Sequence, residues 1–129
     1  MAKPPARSSE TQRNAQAAEV NTFVKSLLAA DTNAKVVVLG DLNDYEFSQT
    51  VTSLTAGRVL TPLIRTLPQA QRYTYVYDGN SQTLDHILTS AAITAFDYDV
   101  VHINAEFADQ ASDHDPQIVR IDISKCGKH

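Results

Sequence analysis

The hydrophobic positions in the first third of the chain recur with the period of an α-helix. The apolar side chains that share this spacing are Val20, Phe23, Val24, Leu27 and Leu28. Their pattern of i, i+3, i+4, i+7 and i+8 predicts one helix with a single buried stripe. We expect Ser9 to cap this helix, with Glu10 in its first turn. The polar run at 31–33 is expected to end it.

A short apolar run at residues 36–39 follows the predicted helix, and three of its four residues are β-branched. This composition predicts a strand that is buried on both faces. Gly40 follows, and alternation along the strand then projects Asp41 and Asn43 to one face while Leu42 turns away. Open α/β sheets usually place ligands at such a strand end. A strand that merely ends in an ordinary Asp/Asn turn fits the same residues equally well.

The middle of the chain predicts a short helix and then a β-hairpin. Ser48 is expected to cap the helix and Gly57 to end it. Residues 58–71 lack a clean period and predict a loop. The aromatic run 73–77 predicts a strand, the Asp-Gly-Asn turn follows it, and residues 83–89 are expected to return as the second strand of the hairpin.

The returning strand carries polar residues between apolar ones. Alternation puts Asp85 on one face and His86 on the other, beside Leu84 and Leu88. A carboxylate on a half-buried strand is costly unless it is paired, so a structural salt bridge or a turn cap is the simple alternative for Asp85. We interpret His86 as a packed, hydrogen-bonded histidine.

The last third of the chain predicts two strands joined by a polar loop. The strands span 96–103 and 117–123, and the loop between them contains Asp113, His114 and Asp115. A histidine beside carboxylates suits proton transfer or phosphate contact near neutral pH. Adjacent acids could also bind Mg²⁺, which prefers oxygen ligands. Ordinary polar loop residues would fit the pattern as well.

Composition limits the classes of function. The chain has 129 residues, enough for one domain, and is 43% hydrophobic and 20% charged. Its net charge of −4 is not the basic footprint of a protein that holds nucleic acid by charge alone, although a bound cation can reverse the local sign. Cys126 is the single cysteine, so no intrachain disulfide can form. No apolar run is long enough to span a membrane.

Three clusters together resemble the endonuclease/exonuclease/phosphatase superfamily, the DNase I-like phosphoesterases. They are Gly40-Asp41-Leu42-Asn43, Leu84-Asp85-His86-Ile87-Leu88 and Ser112-Asp113-His114. The run from the aromatic hairpin through the second cluster looks most like bacterial extracellular nuclease-like members, which implies an extracellular location.

The resemblance implies an α/β fold, a four-layer α/β sandwich of the DNase I-like type. Residues 10–124 would supply its C-terminal half as one mixed sheet with flanking helices. Residues 1–9 would form a flexible leader and 125–129 a tail. The N-terminal half, which in the family brings a metal-binding Glu, is expected to lie outside this sequence.

The activity that the resemblance implies is metal-assisted phosphodiester hydrolysis with Mg²⁺ or Mn²⁺. Asp41 would orient or deprotonate the attacking water, and Asn43 would hydrogen-bond the charge that develops on the phosphate. Asp85 would hold His114 against the scissile phosphate, and Asp113 would help bind the cation. Nuclease activity on DNA or RNA is the leading hypothesis. The alternatives are a phosphatase or phospholipase acting on inositol phosphates or sphingomyelin, and a non-catalytic binding module.

The expected partner is the missing N-terminal half or a second copy of the chain. Val119, Ile121 and Ile123 alternate with polar residues in the last predicted strand, and residues 36–39 add further apolar surface. One long and one short helix cannot cover all of it, and soluble monomers rarely expose an apolar face of that size. We therefore expect the isolated chain to associate. We also expect it to lack activity, because the resemblance puts half of the metal-binding residues in the missing N-terminal half.

Overall fold

Two helices and seven strands make up the part of the chain that the computed structural model describes, residues 8–124. The helices are α1 (Glu10–Ala30) and α2 (Gln49–Leu54). The strands are β1 (Val37–Asp41), β2 (Thr61–Pro62), β3 (Tyr75–Tyr77), β4 (Asn80–Gln82), β5 (Asp85–Thr89), β6 (Phe96–Val100) and β7 (Gln117–Ile121). Two 3₁₀ turns, Leu63–Thr66 and Gln69–Gln71, lie between β2 and β3. The expected tail 125–129, with Cys126, and the expected leader before Ser8 lie outside the described residues.

The strands form three small antiparallel sheets, ordered β1-β5-β2, β3-β4 and β6-β7. The α/β class is as predicted, but the single mixed sheet is wrong for residues 8–124, where every strand pairing is antiparallel. A parallel partner for β1 would have to precede α1 and connect through it, and no strand precedes α1 in the described range. Side-chain bonds link the sheets, such as the one from the Gln117 side chain in β7 to the Asp85 carbonyl in β5 at 2.6 Å.

Helix α1 is rotated relative to the predicted stripe. Its buried residues are Ala17, Asn21 and Val24, whereas Val20 and Phe23 are exposed. The rotation has a polar cause, because the Asn21 amide donates to two carbonyls at the end of α2, each at 2.9 Å.

The start of α1 also differs from the prediction. Ser9 occupies the N-cap position with a left-handed φ of 60°, and its side chain accepts no capping bond from the helix backbone. Its hydroxyl instead accepts a hydrogen bond from the guanidinium of Arg13 at 2.6 Å. Ser48, in contrast, caps α2 as predicted, since its hydroxyl accepts from the Val51 amide.

Strand β1 is covered on one face only, so the prediction of burial on both faces is wrong. Val36 and Val38 pack against the core shared by α1, α2 and β5. Leu39 points the other way and is 67% exposed. β1 is also an edge strand of its sheet within the described chain. The helices therefore cover one face of β1 and leave the face of Leu39 open at this edge, although Ile87, opposite Leu39 in β5, is buried.

The hairpin is shorter than predicted. Tyr75–Tyr77 pairs with Asn80–Gln82 across a turn in which Asp78 and Gly79 both have positive φ, as a tight two-residue hairpin turn requires. The expected returning strand at 83–89 is wrong as a partner for this hairpin, because the chain leaves it after Gln82. β5 then pairs with β1 and β2 instead.

The region 58–71, expected to be loop, adds the short strand β2 to the edge of β5 and contributes buried side chains. Leu63 and Ile64 in its first 3₁₀ turn are each 1% exposed.

The predicted strands at 96–103 and 117–123 form but end early, at Val100 and Ile121. In β7, Val119 and Ile121 are half-buried, while Ile118 on the opposite face is 59% exposed. Ile123, beyond the strand, is also exposed. Between residues 8 and 124 no helix is both long and apolar enough to cross a bilayer.

Candidate active site

The end of the β1–β5 ladder brings two carboxylates together. Asp41 is the last residue of β1, and the antiparallel register sets it opposite Asp85, the first residue of β5. His114, from the loop before β7, approaches the same point. One ligand atom from each of Asp41, Asp85 and His114 lies within 4.8 Å of the others.

Asp85 and His114 form a direct pair. The Nδ1 atom of His114 lies 2.6 Å from the Oδ2 atom of Asp85, and both side chains are about three-quarters buried. Tyr75 contacts the imidazole at a ring-centroid distance of 5.0 Å, and its backbone forms a β-bridge with His114. The contact expected between Asp85 and His114 is therefore present, while the catalytic roles of both residues stay predictions.

The charges around His114 favour its protonated form. Burial disfavours the imidazolium, but the hydrogen bond to Asp85 and the negative charge of that carboxylate outweigh burial and raise the pKa of His114. Asp41 and Asp113 add smaller contributions in the same direction. The ring is thus biased towards carrying a positive charge where an anionic substrate would approach.

Asn43 reaches the site by a different route from the predicted strand alternation. β1 ends at Asp41, and Asn43 adopts a left-handed φ of 50°. Its amide N–H donates to the Oδ1 atom of Asp41 at 2.8 Å, which closes an Asx turn. Asn43, Asp113 and His114 line one open cleft of about 480 Å³. Asp113 is exposed and lies outside the close group of Asp41, Asp85 and His114 in the described chain.

A second cleft, of about 370 Å³, lies on the open side of the β1–β5 ladder. Asp41, Asp85 and His114 line its polar end, and Leu39 and Ile87 line its apolar end. His114 therefore borders both clefts, so a group bound in either one can contact the imidazole.

His86 has the structural role predicted for it. It is 1% exposed, and its Nε2 atom lies 2.8 Å from the backbone carbonyl oxygen of Asp44. Burial lowers the pKa of His86, and neighbouring carboxylates only partly offset that effect. The prediction of a packed, hydrogen-bonded histidine is confirmed.

The sequence reasoning missed a buried carboxylate beside the site, Asp44. Its Oδ2 atom accepts hydrogen bonds from Thr50 at 2.8 Å and from Arg13 at 3.3 Å. Burial alone would raise the pKa of Asp44, but these bonds and the Arg13 charge lower it. Asp44 directly follows the first cluster, but its partners lie in α1 and α2, where nothing in the sequence marks them.

A second missed carboxylate is Asp115, 2% exposed and next to His114. One of its oxygens accepts the backbone amides of residues 103–105, and the other lies 2.9 Å from Nδ1 of His102. Burial would raise the pKa of Asp115, but these hydrogen bonds lower it. Asp115 thereby fixes the loop that carries His114. In the sequence, the feature that marks Asp115 is its position directly after Ser112-Asp113-His114.

The donor chemistry of the group fits a hard divalent cation. Asp41 and Asp85 supply carboxylate oxygens, the ligands that Mg²⁺ and Mn²⁺ prefer, and no cysteine is present among the described residues for a zinc–thiolate site. The Nδ1 of His114 and the Oδ2 of Asp85 already bond to each other, which leaves chiefly the Asp41 carboxylate and the second oxygen of Asp85 for a cation.

Comparison with known families agrees with the fold. The model of the Endonuclease/Exonuclease/phosphatase family matches residues 6–114. The chain therefore belongs to this family of phosphoesterases, as the three clusters predicted. No curated protein matches the chain significantly.

A solved structure shows the same fold. A mannosyl-6-phosphatase of Bacteroides thetaiotaomicron VPI-5482 is similar with a TM-score of 0.60 and 23% sequence identity. The similarity covers 87% of this chain and 46% of that protein. The chain thus spans about half the length of the solved protein that it matches.

Proposed function

We propose that this chain carries catalytic residues of a metal-dependent phosphodiesterase, most simply a nuclease acting on DNA or RNA. The observation that supports the proposal best is the Asp85–His114 pair, with Asp41 within 4.8 Å, at the border of two open clefts. An imidazole biased towards its charged form and a nearby exposed carboxylate are groups that can stabilise charge on a phosphate and orient an attacking water.

Each residue then has a role set by its surroundings. His114, held by Asp85, would contact the phosphate through Nε2, because Nδ1 is occupied. Asp41 is exposed and would orient the attacking water next to the cation. Asn43 lines the same cleft as His114 and would donate its side-chain amide to a phosphate oxygen.

A divalent cation would be held by Asp41 and Asp85, and Asp113 would contribute from the cleft edge. When bound, it would supply charge stabilisation for the phosphate oxygens. The acidic composition of the chain, with a net charge of −4, makes such a cation the natural means of attracting an anionic substrate.

Phosphomonoester hydrolysis is the second candidate. The similar solved protein is named a mannosyl-6-phosphatase, and the family includes phosphatases by name. The same residues would serve a monoester, so the two candidates differ in what the clefts accept beyond the phosphate.

We also propose that the open side of the sheet is covered by further protein, either an N-terminal half of the same domain or a second copy of the chain. Leu39 is 67% exposed in β1, which is an edge strand in the described chain, and Ile118, in the separate β6-β7 sheet, is 59% exposed. Exposed edges that carry apolar side chains usually pair or become covered. The 46% coverage of the similar solved protein supports the first of these occupants.

The test is an assay of the natural polypeptide that contains this chain, with Mg²⁺ or Mn²⁺ and with excess EDTA. We expect nicking of plasmid DNA and cleavage of bis-p-nitrophenyl phosphate, both abolished by EDTA. Preference for mannose 6-phosphate or p-nitrophenyl phosphate would favour the phosphatase instead. Cleavage that persists fully in EDTA would contradict metal dependence. The 129-residue chain alone is expected to be about a hundredfold less active or worse, since one lost electrostatic contact typically costs that much.

A further inference from the structure

Thr74 lies between the two members of the Asp85–His114 pair: its backbone is bonded to the segment that carries His114, and its hydroxyl is bonded to Asp85. It precedes β3 and is 0% exposed. Its amide N–H donates to the Gln82 carbonyl at 2.9 Å, and its carbonyl accepts from the amide of Asp115 at 2.7 Å. Because Asp115 directly follows His114, Thr74 is fixed to the segment that carries the imidazole.

The hydroxyl of Thr74 is fully committed. Its Oγ1 atom accepts the amides of Leu84 at 3.2 Å and Asp85 at 3.3 Å. A hydroxyl has two acceptor lone pairs and one proton, so the proton is left for the third partner. That partner is the Oδ2 atom of Asp85, 2.6 Å away.

This arrangement determines the state of the imidazole. Oδ2 of Asp85 faces two groups at 2.6 Å, the Thr74 hydroxyl and Nδ1 of His114. An ionised carboxylate oxygen only accepts, so Nδ1 must carry a proton, and the neutral ring must have Nε2 unprotonated. The Thr74 hydroxyl also resists turning of the carboxylate out of this orientation, because turning would lengthen the bond from Thr74 together with the one from His114.

We propose that Thr74 is a positioning residue, which holds Asp85 so that His114 keeps its proton on Nδ1 and presents Nε2 to the substrate. The catalytic consequence rests on the proposed function, whereas the effect on the imidazole does not. Nothing in the sequence pattern separates this threonine from its neighbours in the aromatic run.

The test is the tautomer of neutral His114 in the full chain, read from its imidazole ¹⁵N chemical shifts at an alkaline pH. The four histidines are distinguished with His114→Asn, which lacks the resonances of interest. We expect the Nδ1–H form in the wild type and in Thr74→Ser, which retains the hydroxyl. Thr74→Val, of nearly the same shape, should show a mixture with the Nε2–H form. If Thr74→Val does not fold, Thr74→Ala removes the same hydroxyl with less crowding.

The matched control is Thr50→Val. Thr50 is also a buried threonine whose hydroxyl donates to a carboxylate, Asp44, at 2.8 Å, and this carboxylate is not the one that is bonded to His114. We expect the tautomer to remain Nδ1–H in this variant. A folded Thr74→Val or Thr74→Ala chain in which His114 remains wholly Nδ1–H would overturn the proposal, as would an equal change in Thr50→Val.

Activity provides a separate reading. In the natural polypeptide, Thr74→Val should lower kcat about tenfold with little change in KM, and Thr74→Ser should restore most of it. If Thr74→Val changes the His114 tautomer but the natural polypeptide has no phosphoesterase activity, the positioning role of Thr74 is supported and the proposed function is wrong. If the natural polypeptide is an active phosphoesterase but Thr74→Val leaves the tautomer unchanged, the proposed function is supported and the positioning role is wrong.

Discussion

The two faces of β5 hold two histidine environments that differ in almost every respect. His86 is on the helix-covered face, 1% exposed, with Nε2 against a backbone carbonyl. On the other face, Asp85 holds His114, whose side chain is 26% exposed. Burial and partner together decide the outcome: deep burial outweighs the carbonyl bond and lowers the pKa of His86, whereas the less buried His114 has its pKa raised by the Asp85 carboxylate. Alternation along β5 thus puts the structural histidine, His86, on one face and the Asp85–His114 pair of the candidate site on the other.

The largest expected effect that tests this difference is on activity. His114→Ala should lower kcat about 10²- to 10⁴-fold, because it removes a charged contact to the phosphate. Its unfolding free energy should change little, since the side chain is partly exposed and lies at the cleft border. Activity on bis-p-nitrophenyl phosphate and urea unfolding measure the two quantities.

His86→Ala is the matched control. It should cost about 2–4 kcal/mol of unfolding free energy, from the cavity and the lost hydrogen bond, while leaving the folded fraction active. Equal losses of activity in the two variants, with neither destabilised, would show that the assignment of the two histidines is wrong.

The next effect concerns packing on the two sides of the sheet. Leu88 is 0% exposed on the covered side, so Leu88→Ala should cost about 2–5 kcal/mol. Leu39 is 67% exposed, and Leu39→Ala should cost less than about 0.5 kcal/mol in a monomer. Urea unfolding with light scattering on the same samples measures both.

If Leu39→Ala lowers the unfolding free energy strongly and also abolishes a dimer, a second copy of the chain buries the open side. A stable monomer with a small cost would leave the N-terminal half as the proposed cover.

The smallest effect is on the pH dependence of stability. The folded-state pKa of His86 is below its ordinary value of 6.5, so its contribution to stability is present above pH 6.5 and is lost as pH falls. The folded-state pKa of His114 is above 6.5, so its contribution is present below that pH and is lost as pH rises through the raised pKa. The two slopes oppose each other around neutral pH.

Replacing His114 should therefore expose the pH dependence of the unfolding free energy that comes from His86. In His114→Asn, stability should fall more steeply between pH 7.5 and about 5.5 than in the wild type, because the slope from His86 is no longer opposed. Urea unfolding at several pH values measures the slope. Parallel curves for variant and wild type would contradict the opposite pKa shifts.

The sequence predicted the parts of the site that depend on local pattern. Asp41 at a strand end and Asp85 and His86 on opposite faces follow from alternation, and the structure has them there. The family followed from three short clusters in order. For Asn43 the Asp/Asn turn, which the sequence left open beside the strand reading, is the one that forms.

The rest depended on contacts between distant segments, which local pattern does not encode. Asn21 turns α1 because its amide finds carbonyls at the end of α2. The chain leaves the hairpin after Gln82 because β5 gains a longer partner in β1. Thr74 and Asp115 matter only through hydrogen bonds that cross between loops.

The antiparallel register of β1 with β5 also has a consequence for how the chain folds. The β3–β4 hairpin closes over a two-residue turn and can form within microseconds. Asp41 and Asp85, in contrast, meet only after the whole intervening segment closes as a loop, which carries a substantial entropic cost. His114 joins them from a still later part of the chain. A nascent chain on the ribosome therefore holds every residue of the first cluster long before it has a site, because the carboxylates can meet only after β5 has emerged and His114 emerges later still.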